Sequence, residues 1–191
     1  MDSAAWQPAD DVWVFAYGSL MWRPEMPVAE SRPALLYGWH RDFCLASVVH
    51  RGTPARPGLV LGLAPGGSCR GLALRVAANE TAEVLARLDA RELVTGVYIP
   101  KMLPVRTAQG IVRARSYVCD RGHRQFVGRI GLPEQARIIL AASGQGGSNL
   151  DYLTKTLDAL AALGIRDRRL LALARQCAIE QTKGKDKGEP S

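Results

Sequence analysis

Along the first half of the chain the hydrophobic positions fall in short runs separated by turn residues. Along the second half they recur at helical spacing. Residues 12–17 form a continuous apolar run of strand length. Residues 34–39 and 43–49 read as two further strands, and 53–58, with two prolines and a glycine, reads as a loop. Residues 59–64 and 71–76 flank Pro65-Gly66-Gly67-Ser68 and are expected to pair as a hairpin. Residues 97–105 and 112–118 add two more strands, with Gln109-Gly110 between them. After Asn79, a residue suited to cap a helix, Val84, Leu85 and Leu88 recur on one helical face. A helical pattern begins at Pro133, breaks over the glycine-rich stretch 143–148, resumes over about 148–163 and 167–178, and is split at Gly164.

Strands first and helices mostly last predict an α+β domain, with five to seven short strands able to close into a small barrel. The expected organisation is one domain over 12–180, an N-terminal extension over 1–11 and a disordered Lys/Gly/Glu-rich tail over 181–191. A length of 191 residues suffices for a sizeable core. No apolar stretch approaches membrane-spanning length, so no membrane partner is expected. The polar N-terminus lacks the pattern of an export signal. Cys44, Cys69, Cys119 and Cys177 are too scattered for a metal knuckle or a redox pair, which predicts reduced thiols in a cytoplasmic protein. The net charge of +7 raises nucleic acid as a partner. Yet the arginines are scattered apart from Arg166, Arg168 and Arg169, three lysines sit in the tail, and no aromatics interleave with them, so solvated faces are the expected reading. The excess charge can still attract an anionic metabolite.

Two segments carry candidate chemistry. In Leu88-Asp89-Ala90-Arg91-Glu92, Glu92 continues the stripe of Val84, Leu85 and Leu88, whereas Glu83 points to the opposite, solvated side and is expected to be non-catalytic. Glu80 falls in the first turn, where the helix dipole favours an acid. An inward carboxylate is costly unless paired or protonated, and burial raises its pKa toward the range useful for proton transfer. Two plainer roles stay open for Glu92: a structural pair with Arg91 or another arginine, or a position beyond the helix end, since Thr95-Gly96 follows. The second segment is Tyr17-Gly18-Ser19-Leu20, where the apolar strand breaks at a glycine. Successive backbone N–H groups there can form a nest for a carboxylate, and Tyr17 and Ser19 add hydroxyls. The alternative is an ordinary strand-to-loop turn.

The stretch from Val14 to Trp22, VFAYGSLMW, resembles the opening of the ChaC-like γ-glutamylcyclotransferases. His50-Arg51-Gly52-Thr53-Pro54-Ala55-Arg56-Pro57-Gly58 is similar to that family's HRG-x-P-x-x-PG loop. Leu88 to Glu92, followed by Tyr98, resembles its RE…Y segment. Ala141-Ala142-Ser143-Gly144, running on to Asn149-Leu150-Asp151-Tyr152-Leu153, resembles its glycine-rich turn leading into N-x-x-YL. The four segments occur in the family's order and cover roughly residues 12–175. The chain departs from the pattern at Ala16, where glycine is common, and its Glu92-to-Tyr98 spacer matches bacterial-looking members. The tail has no counterpart.

The resemblance implies a small mixed β-barrel with flanking helices. It implies cleavage of glutathione to 5-oxoproline and cysteinylglycine with no metal or organic cofactor. Glu92 is then the acid/base, and Tyr17, Gly18, Ser19 and Leu20, with Val14, Phe15 and Ala16 leading in, hold the γ-glutamyl head. In such a reaction the substrate's own α-amine attacks its γ-carbonyl, so no protein nucleophile is needed and one carboxylate can serve as base and then acid. Tyr98, Tyr117 or Arg51 can support the developing oxyanion. Equally, Tyr117 reads as strand core and Arg51 as a pin for its own loop. The rival classes are the same chemistry on other γ-glutamyl amino acids or γ-glutamylamines, thiol catalysis by Cys44 or Cys119 with His40, His50 or His123, and a non-catalytic basic binding protein. The oligomeric state is left open.

Overall fold

Five strands of the computed structural model, which describes residues 10–186, close into a barrel in the order β1-β3-β2-β4-β5. They are β1 (Val12–Ala16), β2 (Glu30–Ser47), β3 (Gly58–Val76), β4 (Tyr98–Thr107) and β5 (Gly110–Cys119). The barrel is mixed. β1 runs antiparallel to β3, from Val12 opposite Val76 to Ala16 opposite Leu72, and parallel to β5 at Trp13–Ala114 and Val14–Arg115. β4 and β5 form a tight hairpin closed at Thr107 and Gly110, where φ of +120° favours glycine. Four helices follow or intervene: α1 (Ala78–Glu92), α2 (Leu132–Ala141), α3 (Asn149–Ala162) and α4 (Arg168–Asp186). Two-residue strands β6 (Ser143–Gly144) and β7 (Gly147–Ser148) pair with each other, bringing the strand number to seven.

The chain divides into two compact units, one made of residues through His40 with Pro65–Asp120, the other of Arg41–Ala64 with residues from Arg121 on. In the first unit β1 is buried along all but Trp13, which is half-buried beneath Arg32. Val12, Val14, Phe15 and Ala16 are all buried, which is why its sequence is a continuous apolar run. Helix α1 buries Thr81, Val84 and Leu88. Asn79 does not cap it. The helix starts at Ala78, whose N–H donates instead to the Asp11 carboxylate at 2.9 Å, and Asp11 also takes Arg75 at 2.6 Å. Thr81 donates to the Asp10 carbonyl at 3.0 Å, so the last two residues of the expected N-terminal extension are fastened to this unit. Residues 1–9 of that extension lie outside the described residues.

The second unit packs α2, α3 and α4 together, with Phe43, Leu59, Ile139, Leu153, Leu160 and Leu170 in its core. Ser148 caps α3 by accepting from the Asp151 N–H at 3.1 Å.

Three expectations change. Residues 34–49 are not two strands but one, because the intervening Arg41 and Asp42 are buried and paired, with Asp167 at 3.1 Å and Arg169 at 2.8 Å respectively. Residues 65–68 do not turn a hairpin. Gly66 and Gly67, at φ of +96° and +69°, are accommodated inside the single strand β3. Helix α4 runs on to Asp186, so 181–186 of the expected disordered tail is helical, and 187–191 lies outside the described residues. Among the described residues no helix is long and apolar enough to cross a membrane.

Candidate active site

β1 delivers the chain to Tyr17 and Gly18 with little freedom. Gly71 on β3 lies so close that a Cβ there would overlap the Ala16 carbonyl oxygen, so the strand end is set by backbone against backbone. Tyr17 then donates its hydroxyl to the Tyr117 carbonyl at 2.9 Å. Gly18 turns the chain at φ of −136°, and Ser19–Met21 form one 3-10 turn. Its carbonyls accept from below: Met21 N–H bonds Gly18 O at 2.9 Å and Arg23 N–H bonds Ser19 O at 2.8 Å. The leading N–H groups of such a turn have no partner within it, which leaves them available to an anion.

α1 ends on Glu92, with Leu93 as its C-cap, so Glu92 is within the helix and follows the buried stripe of Thr81, Val84 and Leu88. Its side chain is 18% exposed. Burial pushes its carboxyl above the usual glutamate range, the Arg91 guanidinium works against that, and the Glu25 carboxylate adds to it. The pair with Arg91 that the sequence left open does form, at 3.2 Å, but it is one of three contacts. Arg91 also donates to Ser19 Oγ at 2.7 Å and to Glu25 at 2.7 Å. One guanidinium thus joins the 3-10 turn to the acidic end of α1. Ser19 accepts in this bond, which leaves its hydroxyl hydrogen for another acceptor. Glu25 and Arg91 also line a cavity of about 140 Å³ with Met26, Val84, Arg87 and Leu88.

One turn earlier, Asp89 accepts Arg115 Nη2 on both oxygens, at 2.7 and 2.6 Å, and the Tyr117 hydroxyl at 2.6 Å. Burial pushes the Tyr117 phenol well above its ordinary value, and the bond to Asp89 adds to this. Its proton is therefore committed to Asp89, and Tyr117 acts here as a tether between β5 and α1. Arg115 is also held above its ordinary value: burial acts to lower it, and the bonds with Asp89 and Tyr117 outweigh that. Tyr98 opens β4 opposite Cys119 and is partly exposed.

Arg51 belongs to the second unit. Its guanidinium donates to Ser148 O at 3.0 Å and Asp151 at 3.3 Å and lies 5.1 Å from the Tyr152 ring. Lys155 and then Arg51 hold the Asp151 carboxyl below its usual range. Here two of the sequence motifs meet. A Cβ on Gly58 would overlap Arg51 O, and one on Gly144 would meet Val49 O at 2.5 Å. Asn149 clamps Leu59, accepting its N–H at 2.6 Å and donating to its carbonyl at 2.7 Å. The loop at 50–58 and the turn at 141–153 are one backbone-packed assembly.

The structure thus links Glu92 to Ser19 through Arg91 in the first unit, and Tyr17 directly to Tyr117. Glu25 and Asp89 had no signal in the sequence, because their partners Arg91 and Arg115 lie 66 and 26 residues away. Among the described residues no group of three or more His, Cys, Asp or Glu side chains could hold a metal ion.

The sequence model of the ChaC-like proteins matches residues 12–180. The glutathione-specific γ-glutamylcyclotransferase of Escherichia coli K12 is 38% identical over 157 residues, covering 82% of this chain and 68% of that protein. The human glutathione-specific γ-glutamylcyclotransferase 1 is 31% identical over 169 residues, covering 85% and 76%. A crystal structure of the yeast γ-glutamylcyclotransferase specific to glutathione superposes with a TM-score of 0.82 at 25% identity, over 88% of this chain and 96% of that one.

Proposed function

The chain belongs to the ChaC-like family, and from that premise we propose that it converts glutathione to 5-oxoproline and cysteinylglycine, with Glu92 as the acid/base. The observation that carries this reading is the Arg91 guanidinium, which joins Glu92 to the turn that would hold the substrate's γ-glutamyl head.

The reaction needs three things from the protein. The γ-glutamyl chain must be bent so that its α-amine reaches its own δ-carbon. The N–H groups at Gly18, Ser19 and Leu20 and the Ser19 hydroxyl suit the α-carboxylate, which fixes one end of the bend. The amine must then lose a proton. A carboxylate with raised proton affinity is the better base near neutral pH, and burial gives Glu92 that property. As the ring closes, the carbon–nitrogen bond to the cysteinyl residue breaks, and its nitrogen takes the proton that Glu92 has accepted. The nucleophile is tethered, so effective concentration supplies much of the rate. The partly exposed Tyr98 is the phenol in the first unit that we assign to the carbonyl oxygen. Val14, Phe15 and Ala16 act by fixing where the turn begins. Arg51 we read as the anchor of its own loop, given its three partners.

We take residues 12–180 as one cyclotransferase domain, a reading supported by a family match that runs through both units. A small molecule as partner, rather than nucleic acid, is supported by the pairing of Arg41, Arg75, Arg91, Arg115 and Arg169 with carboxylates. A cytoplasmic location is supported by four buried cysteines kept as thiols. The test is incubation of the purified protein with glutathione. Formation of 5-oxoproline with cysteinylglycine supports the reading, and formation of free glutamate or no product refutes it. Stronger turnover of γ-glutamyl-alanine would place the activity on other γ-glutamyl compounds.

A further inference from the structure

Arg91 faces two carboxylates and does not treat them alike. Its bond to Glu25 is 2.7 Å, within the range of a charge-assisted hydrogen bond, while its approach to Glu92 is 3.2 Å, outside it. A second short bond, 2.7 Å to Ser19 Oγ, holds the other terminal nitrogen. The guanidinium is therefore drawn to Glu25 and Ser19, and Glu92 is left only loosely engaged.

Glu25 is itself held in an unusual way. Among the described residues it is the one non-glycine with a positive φ, at +54°. A side-chain-bearing residue persists in that conformation where its surroundings over-determine it. The surroundings are two arginines: Arg91, and Arg23 at 2.7 Å on the other carboxylate oxygen. The loop spends conformational energy to present a carboxylate at this point.

We propose that Glu25 is a positioning residue for the cyclotransfer proposed above: by holding Arg91 against Ser19, it keeps the guanidinium from closing on Glu92 and neutralising the acid/base. This inference rests on that reading of Glu92. The charged groups of the cluster are Arg91 on α1, Arg87 on the same helix, which lines the cavity with Glu25 and pairs with Glu83 at 3.5 Å, Glu25 and Arg23 on the segment after the 3-10 turn, and Asp89 with Arg115 and Tyr117 of β5. Asp89 pairs with Arg115 through one terminal nitrogen, while Arg115 Nε stays buried without a hydrogen-bond partner. The charges that act on the Glu92 carboxyl are Arg91 and Glu25.

Glu25→Gln keeps an oxygen for Arg91 and removes the charge. Glu25→Gly removes the charge and suits the positive φ, so it serves if the first variant folds poorly. In both, carbon NMR of the Glu92 carboxyl should show its titration midpoint at lower pH than in the wild type. The cause in both is that a repelling carboxylate is gone, and in Glu25→Gly Arg91 is also released toward Glu92. With glutathione, the acid limb of kcat/KM should move to lower pH in step, and kcat should fall about tenfold, the scale of one hydrogen bond to a charged group, with KM changing less. A midpoint that stays in place or rises in both folded variants overturns the proposal. The titration needs no turnover. Glutathione turnover lost on Glu92→Gln with an unmoved midpoint in the Glu25 variants sinks this inference alone, whereas a wild-type protein inert to glutathione sinks the functional reading.

Discussion

Arg91 and Ser19, 72 residues apart in the chain, are joined by a 2.7 Å hydrogen bond that ties the end of helix α1 to the turn after β1. Glu92 is the next residue along the helix. Any shift of the turn is therefore felt at the carboxylate, and the proposed chemistry depends on how rigidly the two are held.

The pH response of Glu92 follows from its raised proton affinity. As a base it must be ionised, so kcat/KM should fall as pH drops through a value above the ordinary glutamate range. Folding stability carries the opposite stamp. Between the ordinary range and the raised value, the folded protein holds a proton that the unfolded chain has released, so stability falls as pH rises through that window. Above the window Glu92 is a fixed cost. Glu92→Gln should therefore raise the unfolding temperature at neutral pH, with the gain shrinking to nothing below pH ~4, where both states are protonated. Thermal unfolding at the two pH values measures it, and a variant equally stabilised at both would contradict the cause assigned here.

Gly71 fixes the end of β1 by leaving room for the Ala16 carbonyl. Gly71→Ala should force the strands apart at that point, costing about 1–3 kcal/mol and displacing the turn at Ser19. Urea unfolding reads the first effect and a rise in KM for glutathione the second. Unchanged values of both would show that the close approach is not needed.

Much of this was visible in the chain itself, and the reasons are local. The β1 run, the two strands on either side of Gln109-Gly110, the helix stripe through Val84 and Leu88 and the proline start of α2 depend on near neighbours, and each lies where its pattern puts it. What local pattern missed depends on distant partners. Arg41 and Asp42 look like a strand break until Asp167 and Arg169 are brought to them. Asn79 looks like a cap until Asp11, from far upstream, takes that place. Pro65-Gly66-Gly67-Ser68 has the composition of a turn, yet the same glycines can sit at positive φ inside a long strand. The place of Glu92 on the buried face of α1 was legible because a helix face is a local property. Glu25 was not, because only the fold brings it to Arg91.

Asn149 is fully buried and satisfies both backbone groups of Leu59. Asn149→Ala would leave an N–H and a carbonyl unpaired in the core of the second unit. The expected loss is about 3 kcal/mol, measured by chemical denaturation. A loss under about 1 kcal/mol would mean that water replaces the amide without cost.

Glu83 lies on the outer face of α1, with its side chain 80% exposed and Arg87 3.5 Å away. Glu83→Gln should leave glutathione turnover unchanged and shift stability by less than about 0.5 kcal/mol. A large loss of turnover would assign the acid/base, or a share of it, to the wrong glutamate.

In the cyclisation proposed above, Glu92 moves the proton. The most direct measurement is 5-oxoproline release from glutathione by the wild type and by Glu92→Gln, side by side, with both shown to be folded. Turnover by the wild type is expected, with a loss of about 10²–10⁴-fold in kcat for the variant. Equal turnover by the two proteins would leave the reaction standing and contradict the mechanism.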